Sequence, residues 1–200
     1  MKYEIHVTVE DFPSMKQAND FADFAHLHGA KALLIELYNP RNLPNVEHPL
    51  QLMLARDYDA GTEDDVAARK FACELSDMVE KAGWKVTRTK LESINLNGWA
   101  SYFEAHWKLD LSLDYEWEYA ELCKFLSQNP NYLRSKNLFE MGSYFLSQRV
   151  YSCSDHLAAS LRFNGLGKSI SWAGLPLKRV HYERVIWDSN PRLDYGWSEV

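Results

Sequence analysis

Two short segments of the chain each place a glutamate and a histidine two residues apart. The pairs are Glu4 with His6 and Glu104 with His106, in segments 2–10 and 102–110. Apolar and polar residues alternate strictly in both segments, which is the pattern of a strand with one buried face. Each strand is therefore expected to carry its glutamate and its histidine together on its polar face.

These residue types favour a metal site as one hypothesis. Zinc, manganese, iron and nickel accept histidine and carboxylate ligands, and alternate residues of one strand lie about 6–7 Å apart. The cofactor stays unknown, with a divalent transition metal as the candidate. The candidate ligands are Glu4, His6, Glu104 and His106. The alternative is that these side chains form ion pairs with nearby cations, namely Lys108, Arg88 and Arg179.

The segment His6-Val7-Thr8-Val9 resembles the His-x-Thr strand motif of the 2H phosphoesterase family. In that family two such motifs, one per repeat, face each other across a duplicated α+β fold. The resemblance implies that His6 and His106 act as general acid and base and that Thr8 holds phosphate. The second copy departs from the motif because Lys108 replaces the hydroxyl residue, although lysine also binds phosphate as a point charge. The resemblance covers four residues, so the chain is not assigned to the family.

The order of predicted elements over residues 1–94 is β-α-β-β-α-β, the ferredoxin-like arrangement, with a long loop at 39–49. A second short match, between segments 83–92 and 174–183, favours an internal duplication. We therefore predict an α+β fold made of a tandem duplication of a ferredoxin-like module, packed as one compact unit. Module 1 covers 1–94, a linker covers 95–101, and module 2 covers 102–200 with a turn-rich C-terminal tail.

The repeat alignment predicts which residues of the last strand in each module share the Glu-x-His face. Arg88 and Lys90 would lie there in module 1, and Arg179 and His181 in module 2. Together with the two Glu/His pairs they would line a polar pocket between the modules that binds a small anionic ligand. The candidate ligand-binding residues are Thr8, Lys108, Arg88, Arg179 and His181.

The segment 165–169 (GLGKS) ends like a phosphate-binding P-loop, but Arg162 occupies the position of its first glycine. The segment also follows a predicted helix instead of joining a strand to one. We therefore reject a P-loop and predict that Gly165 and its neighbours end that helix.

The composition limits the classes of partner. A hydrophobic fraction of 46% is ordinary for a globular chain, and a formal net charge of −6 disfavours general binding to nucleic acid. The N-terminal segment alternates, unlike a signal peptide, and no apolar run is long enough to span a membrane. The three cysteines form no CxxC pair. We therefore expect a cytoplasmic protein with no nucleic-acid or membrane partner, and leave a homo-oligomer open.

Two functional interpretations follow. The first is a small-ligand or partner-binding module with a polar pocket lined by Glu and His. The alternative is a metal-dependent or 2H-phosphoesterase-like hydrolase that uses His6 and His106 as catalytic residues. The sequence leaves open whether the protein is an enzyme.

Overall fold

The computed structural model describes residues 1–10, 14–38, 50–61, 64–111, 116–129, 132–140, 143–151 and 156–191. The strands are β1 (Lys2–Val9), β2 (Lys31–Tyr38), β3 (Leu50–Asp59), β4 (Val86–Ser93), β5 (Tyr102–Asp110), β6 (Leu133–Asn137), β7 (Ser143–Val150) and β8 (Leu177–Asp188). The helices are α1 (Met15–Leu27), α2 (Asp65–Lys81), α3 (Glu116–Gln128) and α4 (His156–Trp172). The predicted loop at 39–49 and the tail beyond residue 191 lie outside the described residues. Among the described helices, none is both long and apolar enough to cross a membrane.

The eight strands close into one barrel in the order β1-β3-β2-β6-β7-β5-β8-β4. The prediction of a tandem ferredoxin-like duplication is therefore wrong, because the strands do not form two separate open sheets. A closed sheet has no edge strand whose N–H and C=O groups lack partners. The alternation of residues along a strand predicts its buried face but not the strand beside it, so closure could not be predicted from that pattern.

The chain divides into two compact units. Unit 1 comprises Met1–Ile35, Leu50–Ser101 and Glu183–Tyr195, and unit 2 comprises Glu36–Pro49, Tyr102–Tyr182 and Gly196–Val200. Unit 1 is therefore discontinuous in sequence, because it includes the second half of β8. The predicted boundaries at 1–94, 95–101 and 102–200 stay a prediction.

In unit 1 the apolar face of β1 packs beneath helix α2. Tyr3, Ile5 and Val7 are buried there, as are the alanines, Leu75 and Val79 on the inner side of α2. Each buried aliphatic side chain contributes about 1.5–3 kcal/mol of hydrophobic stabilisation. The helix begins after Asp64, whose carboxylate accepts hydrogen bonds from two backbone N–H groups of the first turn. The opposite face of β1 carries the polar residues.

In unit 2 the core is built around Trp107 of β5, which is completely buried. Its ring centroid lies 5.5 Å from that of Tyr132 and 6.1 Å from that of Phe163 on α4. Tyr132 also packs against Phe125 of α3 at 5.2 Å and donates a hydrogen bond to the Leu166 carbonyl of α4 at 3.1 Å. Tyr132 therefore lies between α3 and α4, so the two helices are neighbours on one face of unit 2.

Helix α4 continues through Gly165 and Gly167 as far as Trp172. The prediction that these glycines end the helix is therefore wrong. A Cβ atom added at Gly167 would lie 3.0 Å from the indole nitrogen of Trp107. Glycine in a helix costs about 0.5–1 kcal/mol relative to alanine, but here it allows the helix to approach a buried tryptophan closely.

Candidate functional site

The register of β1 and β4 places six polar side chains of unit 1 on one face. Residues opposite each other in an antiparallel pair point to the same side of the sheet. The opposed pairs are Glu4 with Glu92, His6 with Lys90, and Thr8 with Arg88. This face therefore contains the predicted Glu-x-His pair together with the cations that were predicted to lie beside it.

A β-bulge at Thr87 brings Arg88 to this face. Val86 pairs with Val9 and Arg88 pairs with Thr8, which leaves Thr87 as the extra residue of β4. The Thr87 hydroxyl donates a hydrogen bond to the Thr8 carbonyl at 3.2 Å. In a regular strand Val86 and Arg88 would share one face. The bulge separates them, so the apolar residue and the charged residue lie on opposite faces.

His6 is held between two carboxylates. Its Nδ1 lies 3.0 Å from Glu92 Oε2 and its Nε2 lies 3.4 Å from Glu4 Oε1. Burial opposes a charge on the ring, but the charges of Glu92 and Glu4 outweigh it and raise the pKa of His6 to about 10. The hydrogen bond from His6, together with its charge, lowers the pKa of Glu4 to about 2.

The His6 ring is therefore an imidazolium at neutral pH. An imidazole must be neutral to bind a metal or to accept a proton as a general base. Both carboxylates oppose the loss of the proton that these two roles require. The catalytic and metal-binding roles of His6 stay predictions, and the geometry favours a structural ion pair.

The other polar residues of this face are also engaged. Lys90 forms an ion pair with Glu92, which is almost completely buried. Arg88 forms two hydrogen bonds with Asp188, and Thr8 is buried. A ligand anion would have to displace a carboxylate to reach either cation, so neither Arg88 nor Lys90 supports an anion site in this arrangement.

Beside this face unit 1 contains a cavity of about 420 Å³. Its charged lining consists mainly of carboxylates, with Lys2 as the cationic lining residue. The carboxylates belong to Glu4, Asp57, Asp59, Glu92 and Glu183. We call this space the acidic cavity.

Two tyrosines form an aromatic part of the wall. The ring centroids of Tyr3 and Tyr58 lie 6.4 Å apart. The Tyr3 hydroxyl donates a hydrogen bond to Asp65 at 2.8 Å, and burial first and this hydrogen bond second raise the pKa of Tyr3 to about 12. Tyr58 stacks on Phe71 of α2 at 4.4 Å. Both rings are therefore held by contacts outside the cavity.

Unit 2 carries the second Glu-x-His pair on the polar face of β5. Across the β5–β7 pair, Glu104 lies opposite Arg149 and His106 lies opposite Ser147. His106 Nδ1 is 2.6 Å from Ser147 Oγ, and His106 Nε2 is 3.4 Å from Glu104 Oε2. The guanidinium of Arg149 donates to the other oxygen of Glu104. A serine, a histidine, a carboxylate and an arginine thus form one connected chain of polar contacts.

This chain has the components of an activated nucleophile. A serine hydroxyl within hydrogen-bond distance of a histidine, whose other nitrogen faces a carboxylate, is the arrangement used in covalent catalysis. Sequence reasoning missed Ser147 and Arg149. Their signal was the alternation within β7, where Ser147 and Arg149 share one parity. The register against β5 was needed to place them beside His106 and Glu104.

The remaining predicted ligand-binding residues are placed as follows. Lys108 lies on β5 two residues beyond His106, where its Nζ contacts Glu140 Oε1 at 2.5 Å and lies 5.6 Å from the Phe145 ring centroid. Arg179 is exposed and His181 is half-buried, both on the unit 2 part of β8. The structure thus brings Glu4, His6 and Lys90 together in unit 1. The predicted pocket shared by both Glu/His pairs stays a prediction.

No protein-family model matches the chain, and no curated protein matches it. Solved structures that are similar to it include two that were provisionally described as monooxygenases. The one from Lactobacillus acidophilus NCFM has 12% identity and a TM-score of 0.33, with 92% of each chain covered. The one from Fusobacterium nucleatum subsp. nucleatum has 9% identity and a TM-score of 0.36, with 95% of this chain and 94% of that chain covered. These values are too low to indicate a function for this chain.

Proposed function

We propose that the protein binds a small organic cation in the acidic cavity of unit 1. The observation that carries the proposal is the charge of the lining, where five carboxylates accompany the single lysine, Lys2. A cavity of about 420 Å³ has the size of ordinary small-molecule sites, which span roughly 300–1,000 Å³. An ammonium or guanidinium group forms charge-assisted hydrogen bonds with carboxylates, so these groups match the lining.

The tyrosines support the same class of ligand. A cation within about 6 Å of an aromatic ring is attracted by the ring's electron-rich face. Tyr58 is held against Phe71, so its ring does not need to be ordered when a ligand arrives. Carboxylates combined with aromatic rings are therefore suited to an organic cation that has both charge and some apolar surface.

The proposed ligand has the opposite charge to the small anion expected from the sequence. That expectation assigned Arg88 to the ligand and placed Lys90 on the same face, but Arg88 is ion-paired with Asp188 and Lys90 with Glu92. Both cations thus already neutralise carboxylates of the protein. Two of the lining carboxylates, Glu92 and Glu4, are in turn paired with Lys90 and the His6 imidazolium. The three other lining carboxylates, Asp57, Asp59 and Glu183, outnumber Lys2, and this excess of negative charge favours a cation.

Calorimetry with agmatine and putrescine, and with succinate as a small anion, tests this proposal. We expect saturable binding of at least one cation and none of succinate. Asp57 is an exposed carboxylate of the lining, so the Asp57→Asn variant should keep the fold and weaken cation binding about ten- to one-hundredfold, the value of one charged hydrogen bond. Asp77→Asn, an exposed acid of α2 outside the lining, is the matched control. Equal affinity of both variants, or succinate binding alone, would overturn the proposal.

A second candidate function is favoured by the 2.6 Å contact between Ser147 Oγ and His106 Nδ1. It is the hydrolysis of a small ester in unit 2. In this reaction the Ser147 oxygen attacks the ester carbonyl, and its proton passes to His106 and then to the departing alcohol. Water hydrolyses the resulting acyl-serine and regenerates the hydroxyl. Because Ser147 is buried, only a small acyl group such as acetyl would reach it.

Hydrolysis of p-nitrophenyl acetate and mass mapping of the acetylated protein test this candidate. We expect acetyl transfer to Ser147, and loss of both transfer and turnover in Ser147→Ala and His106→Gln. Ser127→Ala, an exposed serine of α3, should behave like the unaltered protein. Turnover that persists in Ser147→Ala would exclude Ser147 as the nucleophile.

A further inference from the structure

We propose that the outer faces of α3 and α4 form the interface of a homodimer. This proposal is independent of ligand binding in unit 1. It rests on three observations about unit 2: an exposed apolar face, opposite charges on two neighbouring helices, and the lack of a comparable apolar face on the longest helix of unit 1.

The outer face of α4 is apolar and exposed. Leu161 is 73% exposed and Trp172 is 83% exposed, and Leu157 lies one turn before Leu161 with 60% exposure. Gly165 lies between Leu161 and Trp172 on the same face, and the space above its Cα is open. Residues spaced by three or four positions form one stripe along a helix. The stripe exposes large side chains that would gain about 25 cal/mol for each Å² of apolar surface buried by a partner.

Helix α3 also exposes a large apolar side chain, but its charged residues are mainly acidic, whereas those of α4 are basic. Trp117 is 57% exposed near the start of α3, and its sequence contains three glutamates and one lysine, Lys124. Helix α4 contains Arg162 and Lys168 and no acidic residue. The two helices are neighbours because Tyr132 contacts both of them. Unit 2 thus presents an acidic helix beside a basic one.

This arrangement is self-complementary. A twofold axis places the same surface patch of two copies face to face, so α3 of one copy can lie against α4 of the other, and the reverse. Each acidic helix then meets a basic helix, and the apolar side chains of both are covered. A partner of a single sign of charge would be repelled by one of the two helices, which is why a second copy fits better than a uniformly charged protein.

The longest helix of unit 1 differs in this respect. The exposed positions of α2 are mostly charged, and its exposed large apolar residue is Val66 in the first turn. The charged positions are Arg69, Lys70, Glu74, Asp77, Glu80 and Lys81. A charged outer face is the usual arrangement on a solvated helix. The contrast assigns the interface to unit 2 and supplies control positions in unit 1.

Sedimentation velocity across a range of protein concentrations tests the proposal. We expect a monomer–dimer equilibrium that Leu161→Glu shifts at least tenfold toward monomer, because the new carboxylate would face the acidic helix of the partner. Val66→Glu, an equally exposed site on α2, should leave the equilibrium unchanged. Lys168→Glu should weaken the dimer, and adding Glu121→Lys should restore it. A chain that is monomeric at all concentrations, or a dimer insensitive to Leu161→Glu, would overturn the proposal.

Cysteine labelling provides a second readout on the unaltered protein. Cys123 on α3 and Cys73 on α2 are both exposed free thiols. Under dimer-forming concentrations we expect Cys123 to be alkylated several-fold more slowly than in dilute protein, with the Cys73 rate unchanged. Peptide mapping by mass spectrometry separates the two sites. Equal change at both thiols would contradict an interface on α3.

Discussion

Arg88 and Asp188 form a two-point ion pair in the interior of unit 1. Arg88 Nε donates to Asp188 Oδ1 at 3.0 Å, and Arg88 Nη2 donates to Oδ2 at 2.6 Å. Both side chains are at most 5% exposed. Burial of two charges is opposed by the loss of hydration, so each charge depends on the other for its stabilisation. The pair joins β4 to the end of β8.

The first prediction concerns this pair. Asp188→Asn would leave a buried guanidinium without its counter-charge, so the free energy of unfolding should fall by about 3–5 kcal/mol. The double variant Arg88→Met/Asp188→Leu removes both charges, so its free energy of unfolding should fall by less than that of Asp188→Asn. Urea denaturation followed by circular dichroism measures both values. Additive losses from Arg88→Met and Asp188→Leu would contradict a coupled pair.

The second prediction concerns the pH dependence of stability that arises from His6. Its pKa is raised from an ordinary value of 6.5 to about 10 in the folded protein. Its contribution is therefore fully present below pH 6.5 and is lost as the pH rises through about 10. The free energy of unfolding should decline between these limits, and His6→Gln should flatten this decline. An unchanged pH profile in His6→Gln would show that another group controls it.

Glu4 should act at the acidic end of the same profile. Its pKa is lowered from 4.5 to about 2, so its contribution is present above pH 4.5 and is lost as the pH falls through about 2. Glu4→Gln should therefore reduce the loss of stability in acid, when each variant is compared with its own stability at pH 6. Exposed Glu80→Gln on α2 is a matched control and should leave the acid limb unchanged.

The third prediction uses the two glycines of α4 as a matched pair. Alanine at Gly165 meets open space, so Gly165→Ala should raise the free energy of unfolding by about 0.5–1 kcal/mol. Alanine at Gly167 would press on the Trp107 indole nitrogen at 3.0 Å, and Gly167→Ala should lose this gain and destabilise the protein. Thermal unfolding of dilute protein compares the two. Equal stabilisation by both changes would refute the close approach.

The fourth prediction concerns Arg184. Its guanidinium donates to the carbonyls of Asn95 at 3.0 Å and Trp99 at 2.6 Å, and to the carboxylate of Asp65 at 3.1 Å. Lysine has no planar fork of donors and cannot reproduce these contacts together. Arg184→Lys should therefore reduce the free energy of unfolding by about 2–4 kcal/mol. Arg179→Lys, at an exposed site, should change the free energy of unfolding by no more than about 0.5 kcal/mol.

The alternation of residues predicts the polar faces of single strands well in this chain. The Glu-x-His segments form strands β1 and β5, and the apolar residues of both are buried. Sequence parity alone does not place Arg88, because Val86 and Arg88 have the same parity in a regular strand. The bulge at Thr87 places Arg88 on the polar face, opposite Thr8. A bulge cannot be predicted reliably from a single sequence.

Contacts between strands were harder to predict. Ser147 reaches His106 through the register of β7 against β5, and barrel closure depends on which strands become neighbours. Neither property follows from the period of one strand. The prediction that the glycines of α4 end the helix fails for a related reason. The role of Gly167 depends on a tryptophan 60 residues away in sequence, whereas local rules treat glycine after a helical stretch as the end of the helix.

The hydrogen bonds from Arg184 to the carbonyls of Asn95 and Trp99 limit where this chain can be divided into fragments. By composition, segment 95–101 is where one would divide the gene to express two halves. A fragment ending at residue 101 would lack Arg184, and the two carbonyls and the Asp65 carboxylate would lose their shared donor. Unit 1 includes residues of the last strand. A gene fragment that ends at residue 101 therefore does not encode a complete unit 1.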